Sequence, residues 1–248
     1  RHMLTNPDPQ IRYALLSDPT DAQHEVTARD EALEAALVDG IRALNRRYEK
    51  TAPFVLLHRR RSWNEVDGIW MGWERKRGKI EAFNDFLHEE AADAFPLTEG
   101  DVAGLRAAKF IVTLDADTIA PPGAVHSLLG ALAHPLNRAE FDGEGERVIA
   151  GYTFIQPRIE ISPEAGAISP FTRLYTGDTA IDIYSRAVSD VYQDLFGEGI
   201  FTGKGAYDAM AFRRSLGNRV PENALVSHDL FEGLHGRAAL ASDIVLYE

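Results

Sequence analysis

The sequence predicts an α/β fold with a mostly parallel central sheet flanked by helices. Three observations lead there. Tyr13-Ala14-Leu15-Leu16 and Phe54-Val55-Leu56-Leu57 are short apolar runs separated by a long stretch of helical periodicity, the strand-helix-strand order that sets two strands parallel. Phe110-Ile111-Val112 with Leu114 is a third apolar, partly β-branched run, of the kind buried on both faces of a parallel sheet. That run ends in two carboxylates, Asp115 and Asp117, at the carboxyl edge where open α/β sheets bind ligands.

Composition narrows the class. At 248 residues, 45% apolar and 26% charged, the chain is long enough for one α/β domain with a substantial core, and residues 1–248 read as a single domain without repeats. A formal net charge of -12 argues against a nucleic-acid surface. The absence of cysteine excludes disulfides and thiolate metal sites. No apolar run reaches the roughly 18 residues of a membrane span, so this piece is expected to be soluble.

Taken in order, Tyr13–Leu16 is stopped by Ser17-Asp18-Pro19, which leaves Asp18 at a strand end. Thr20 and Gln23 have capping-box spacing, and Val26, Leu33, Leu37, Ile41, Leu44 and Tyr48 recur at helical intervals, so a helix is predicted from there to Arg47. After the second strand comes a basic stretch with tryptophans, Arg59-Arg60-Arg61-Ser62-Trp63-Asn64 and Trp70 to Lys79, within an acidic chain; it suggests an anion site, with a solvated basic loop as the plain alternative. Ile80, Phe83, Phe86 and Leu87 form the face of a helix starting just after Gly78-Lys79, where backbone donors and Lys79 would reach a phosphate. Residues 96–101 read as a polar link.

Beyond the two aspartates, Pro121-Pro122-Gly123 starts a helix whose buried stripe is Val125, Leu128, Leu129 and Leu132. Residues 137–146 read as an exposed loop, and Val148 to Ile155 as a strand ending at Gln156-Pro157-Arg158. Gly203-Lys204 is not a P-loop, because Glu198 and Gly205 stand where a glycine and a Ser or Thr are required; it reads as a flexible loop near a ligand. Ser227 is placed to cap a short helix that opens with His228-Asp229.

Asp115 and Asp117 sit two apart, so strand geometry would turn both to one side, as hard oxygen ligands for Mg2+ or Mn2+ beside substrate phosphates. An Asp-x-Asp is common by chance in an Asp-rich chain, and its position carries the argument. One mechanism is glycosyl transfer from a nucleotide sugar: Asp117 with Asp115 holds the metal, Lys76 or Lys79 assists the leaving diphosphate, and Asp229 is the base that takes the acceptor proton. A second is haloacid-dehalogenase-type phosphoryl transfer with Asp115 as nucleophile, Asp117 as acid and base, and residues 177–182 as later metal-binding acids. Against it, no lysine lies between Lys109 and Lys204. A third is an inactive glycan- or nucleotide-binding module.

The segments Arg59 to Asn64, Trp70 to Lys79, Leu114-Asp115-Ala116-Asp117-Thr118, Ala187 to Gly199 and Ser227-His228-Asp229-Leu230 together closely resemble the glycosyltransferase domain of bacterial cyclic β-1,2-glucan synthases. The resemblance implies a GT-A (Rossmann-like) fold, UDP-glucose as donor, a divalent metal and an inverting transfer to a growing glucan acceptor. It matches Asp18 to a nucleotide-contacting acid, Lys76, Gly78 and Lys79 to a phosphate-side Lys-x-Gly segment, Asp115 and Asp117 to the nucleotide and metal acids, and Asp229 to the general base. Gly199 to Gly205, with Gly203 and Lys204, would border the acceptor. GT-A domains start with a strand before the one that ends here at Asp18, and processive relatives carry a Gln-x-x-Arg-Trp element after the base. The chain shows neither, and is expected to be incomplete at both ends: a fragment of a larger polytopic synthase of the inner membrane, with this part on the cytoplasmic side.

Overall fold

Tyr13–Ser17 (β1) and Phe54–His58 (β2) pair in parallel, Tyr13 against Phe54 through Ser17 against His58, as the strand-helix-strand order requires. The computed structural model describes residues 1–49, 51–88, 92–143, 147–162, 169, 191–217, 219 and 228–248. The described residues divide into two compact units, Asp8–Ala108 and Arg1–Pro7 with the described residues from Lys109 onward.

In the Asp8–Ala108 unit the helix between the strands is Asp30–Arg47 (α1), so it begins well after the Thr20 cap predicts. Just before it, Thr27 donates from its N–H and Oγ1 to the Asp30 carboxylate at 2.7 and 2.8 Å, and the flanking residue Arg29 makes no side-chain capping bond, so the helix does not start at Thr20 with Gln23. Arg61 fixes the preceding chain. Its buried guanidinium forks onto Asp30 at 2.6 and 2.9 Å and donates to the carbonyls of Thr20 and Glu25, which keeps that stretch out of the helix. Val26 is consequently exposed. Of the predicted stripe, Ile41 is buried, whereas Leu33 and Leu44 stay substantially exposed.

The basic stretch forms a small hairpin, Ser62–Asn64 (β3) with Ile69–Met71 (β4), followed by the helix Arg75–Leu87 (α2). Residues 97–99 are not a polar link: Leu97–Glu99 (β5) pairs antiparallel with β2, giving the order β1-β2-β5. A three-residue strand held through its backbone leaves too short a pattern to read.

The second unit is built on Phe110–Thr113 (β6), Phe154–Glu160 (β9), Gly205–Asp208 (β10) and Ala238–Tyr247 (β11), in the order β11-β9-β10-β6. Glu140–Phe141 (β7) and Val148–Ala150 (β8) make a separate small hairpin, so the expected strand 148–155 is broken at Gly151 and resumes at Phe154 as β9, which runs on through Pro157 to Glu160. Pro157 is tolerated because β10 pairs only with Phe154 and Ile155; beyond them its missing N–H removes no bond to that neighbour. The sheet is mixed. β9 and β11 are parallel, but β10 runs antiparallel to both β9 and β6, which corrects the mostly parallel expectation. β6 is also half-buried along its length rather than buried on both faces.

The core of this unit is aromatic. The fully buried Phe154 ring stacks on Phe201 at 4.5 Å and meets Phe212 and Tyr207. Ala124–Ala133 (α3) starts at Gly123 as expected and buries Val125, Leu128 and Leu132. Its cap comes from afar, the buried Asn6 side chain accepting from Val125 N–H at 3.2 Å. Val191–Phe196 (α4), Ala209–Leu216 (α5) and Asp229–Gly236 (α6) complete the unit. Among the described residues no helix is long and apolar enough to cross a membrane.

Candidate functional site

The predicted site residues fall into two clusters, one in each unit. In Asp8–Ala108, β1 delivers Asp18 to its carboxyl end. Arg59, immediately after β2, receives it with a two-point grip, Nε to Oδ1 at 2.7 Å and Nη2 to Oδ2 at 3.0 Å, and Lys79 Nζ stands 3.2 Å from Oδ2. Burial works to raise the Asp18 pKa. The Arg59 hydrogen bonds and the charges of Arg59 and Lys79 outweigh it and hold the carboxyl below its ordinary range.

Much of the charge of the basic stretch is paired within the unit, while Arg60 stays exposed. Arg59 is bound to Asp18, Arg61 to Asp30, and Arg75 to Asp21 at 2.9 Å. Buried Arg77 pairs with Glu74 and Glu81 and lies over the Trp73 ring. Burying a guanidinium requires a carboxylate, and this unit supplies one for each of the three buried ones, Arg59, Arg61 and Arg77. Lys76 is half-buried in the first turn of α2. The helix starts at Arg75, so Gly78 lies inside it and its N–H is bonded to the Glu74 carbonyl at 3.2 Å instead of facing a phosphate. Gly78 is needed for packing: a Cβ there would stand 2.1 Å from the Trp73 carbonyl oxygen.

In the second unit, β6 stops at Thr113, and Asp115 and Asp117 lie in the turn beyond it. The turn is closed by Asp115 N–H donating to Thr118 Oγ1 at 3.1 Å and by Thr118 N–H donating to the Asp115 carbonyl. Strand alternation therefore does not orient these side chains, because the Thr118 bonds bend the backbone before it reaches them. Asp117 is exposed. Asp115 is half-exposed, with Oδ2 3.4 Å from Lys204 Nζ, and Lys204 also pairs with Glu248 Oε1. Asp115 and Asp117 present the hard oxygen donors that Mg2+ and Mn2+ prefer.

The loop before β10 ties the remaining residues together. Thr113 Oγ1 donates to the carbonyls of Gly203 and Gly205 at 3.3 and 3.4 Å. Gly203, at φ +82°, lies against Asp229, the first residue of α6. The structure thus brings Asp115, Gly203, Lys204 and Asp229 into one neighbourhood, with Lys204 beside Asp115 and Gly203 beside Asp229. The proposed cap Ser227, the segment 177–182 and the stretch 187–190 lie outside the described residues. His228 precedes the helix, and its side chain makes no capping bond there.

Sequence reasoning missed four partners: Arg59 on Asp18, Glu248 on Lys204, and His228 with Glu232 around Asp229. His228 Nδ1 is 3.0 Å from Glu232 Oε1 and 3.3 Å from Asp229 Oδ1. The i, i+4 spacing of His228 and Glu232 was a readable signal.

No family model matches the chain. Over its whole length it is 43% identical to a segment of the cyclic beta-(1,2)-glucan synthase NdvB of Rhizobium meliloti (strain 1021), and it spans 9% of the length of that protein. The resemblance drawn from the motifs is borne out.

Proposed function

We propose that this chain is the catalytic glycosyltransferase segment of a cyclic β-1,2-glucan synthase, a single GT-A domain that moves glucose from UDP-glucose to a growing glucan with inversion. The observation that carries this reading is the 43% identity along the entire chain to a segment of such a synthase. The segment works within a larger polytopic enzyme of the inner membrane, on its cytoplasmic side.

In this reading Asp18 contacts the nucleotide, and Lys76 and Lys79 neutralise the diphosphate. Asp115 and Asp117 hold Mg2+ or Mn2+; the carboxylate set suits such an ion, since Asp117 is exposed and Asp115 turns one oxygen toward Lys204. The bound metal supplies positive charge for the leaving diphosphate. Asp229 removes the proton of the acceptor hydroxyl as that oxygen forms its bond to the anomeric carbon, the bond from that carbon to the UDP oxygen breaks, and the proton passes from Asp229 to solvent. Gly203 and Lys204 border the acceptor.

Calorimetric titration with UDP-glucose and Mn2+, alongside an assay of UDP release, tests the assignment. Asp117→Ala is expected to lose metal-dependent nucleotide binding, whereas Asp229→Asn keeps binding and loses transfer. One observation favours a second reading, phosphoryl transfer with Asp115 as nucleophile: Lys204, distant in sequence, supplies a lysine 3.4 Å from Asp115 Oδ2. Failure of UDP-glucose to bind, with an aspartyl-phosphate forming on Asp115, decides for it.

A further inference from the structure

We propose that His228 and Glu232 form a positioning pair for Asp229, holding its Oδ1 inward and leaving Oδ2 as the working oxygen. The inference rests on the reading of Asp229 as the base. Glu232 is buried at 3% exposure, and its Oε1 is 3.0 Å from His228 Nδ1. A carboxylate can only accept, so Nδ1 carries the proton and the imidazole is fixed in one tautomer. The same ring edge lies 3.3 Å from Asp229 Oδ1. Oδ1 is buried and, among the described residues, has no hydrogen bond, yet the Asp229 side chain is 24% exposed. That exposure therefore belongs to Oδ2 and the carbon atoms. Gly203 closes the other side, since a Cβ there would stand 2.4 Å from Oδ1.

Oδ1 is thus confined between the ring edge of His228 and the backbone of Gly203, and what remains exposed of the carboxylate side chain is Oδ2 and its carbon atoms. A base held in one rotamer reaches the acceptor hydroxyl without first being ordered, and a misplacement of about 1 Å lowers turnover by roughly 100-fold. The ligand atoms of His228, Asp229 and Glu232 lie within 4.8 Å of one another, and the His228 to Glu232 hydrogen bond already engages Nδ1.

Two measurements test the pair. In the first, UDP release and UDP-glucose binding are followed in His228→Ala, His228→Asn, Glu232→Gln and Asp229→Asn. His228→Ala is expected to lower kcat by about 100-fold with donor Kd unchanged. His228→Asn, whose amide N–H sits where Nδ1–H was, recovers most of that loss. Equal loss in His228→Ala and His228→Asn, or full kcat in His228→Ala while Asp229→Asn is dead, overturns the positioning role and leaves the base assignment standing. Full turnover in Asp229→Asn removes the base assignment and this inference with it. In the second, which needs no turnover, the nitrogen NMR signals of His228 are recorded in the native chain and in Glu232→Gln. A protonated Nδ1 whose shift moves in Glu232→Gln is expected; a bare Nδ1, or signals indifferent to the substitution, overturns the proposal.

Discussion

Gly203 and Asp229 are packed so closely that a Cβ on the glycine would stand 2.4 Å from the carboxylate Oδ1. The glycine also occupies the left-handed region at φ +82°. Gly203→Ala therefore carries both backbone strain and a collision. It is expected to lower stability by about 1–3 kcal/mol and to displace Asp229. Urea denaturation reads the first effect. UDP release, falling with UDP-glucose affinity preserved, reads the second.

Two arginines of the same stretch are expected to behave in opposite ways. The Arg61 side chain is 2% exposed and holds both oxygens of Asp30 and two backbone carbonyls, whereas Arg75 is 67% exposed in its pair with Asp21. Arg75→Ala should change stability by less than about 0.5 kcal/mol. Arg61→Ala should be far more damaging, because it strips Asp30 of its partner at the start of α1, and Arg61→Lys should recover only part of the loss since an ammonium lacks the fork. Denaturation midpoints of the three variants rank them.

The acid side of the stability profile should show two steps. His58 is buried against Ser17, and burial lowers its pKa from the ordinary value. Below about pH 6.5 the unfolded chain takes up a proton that folded His58 resists, so stability falls as pH drops from there toward the folded pKa. Asp18 has a lowered pKa, so its contribution is complete above the ordinary carboxylate range and is lost as pH falls through its folded value. Urea midpoints at pH 7, 5.5 and 4 trace the curve. His58→Asn should reduce the first step, to which His2 and His235 contribute through their own burial-lowered pKa values, and spare the second.

Asp117 is exposed beyond β6, so Asp117→Ala should leave the denaturation midpoint within about 0.5 kcal/mol of the native chain. If the metal assignment holds, UDP-glucose binding loses its Mn2+ dependence in this variant, and chelation of divalent metal gives the native chain the same phenotype. Calorimetry with and without chelator makes the comparison.

The legible parts of this chain were those with local causes. Apolar runs marked β1, β2 and β6, glycine after two prolines marked the start of α3, and punctuation after Leu16 placed Asp18 at a strand end. What escaped had remote causes. The start of α1 depends on Arg61, some thirty residues from Asp30, and no local capping pattern marks Asp30 as the first helical residue. The arginines looked like a ligand surface because composition registers charge but not its partner; Asp18, Asp30 and Glu81 turn that charge inward. β10 and the first half of β11 were unread because Gly205-Ala206-Tyr207-Asp208 and Ala238-Ala239-Leu240-Ala241 are made of small or mixed residues whose place is fixed by the strands beside them, whereas Ile244-Val245-Leu246-Tyr247 at the end of β11 was a local signal left unread. At the candidate site the acids were visible one by one, while the pairing of Lys204 with Asp115 and of Gly203 with Asp229 needed the fold.

The antiparallel ladder of β6 and β10 ends with Thr113 across from Gly205, so the turn that carries Asp115 and the loop that carries Gly203 leave the sheet at the same rung. It acts as a ruler. The chain length after β6 and before β10 fixes how far along the ladder each loop extends, so one residue added between Gly203 and Gly205 would slide the glycine turn past Asp115 while leaving every side chain chemically unchanged. Spacing in these two loops, more than the identity of any one residue in them, is what natural variants of this segment would have to preserve.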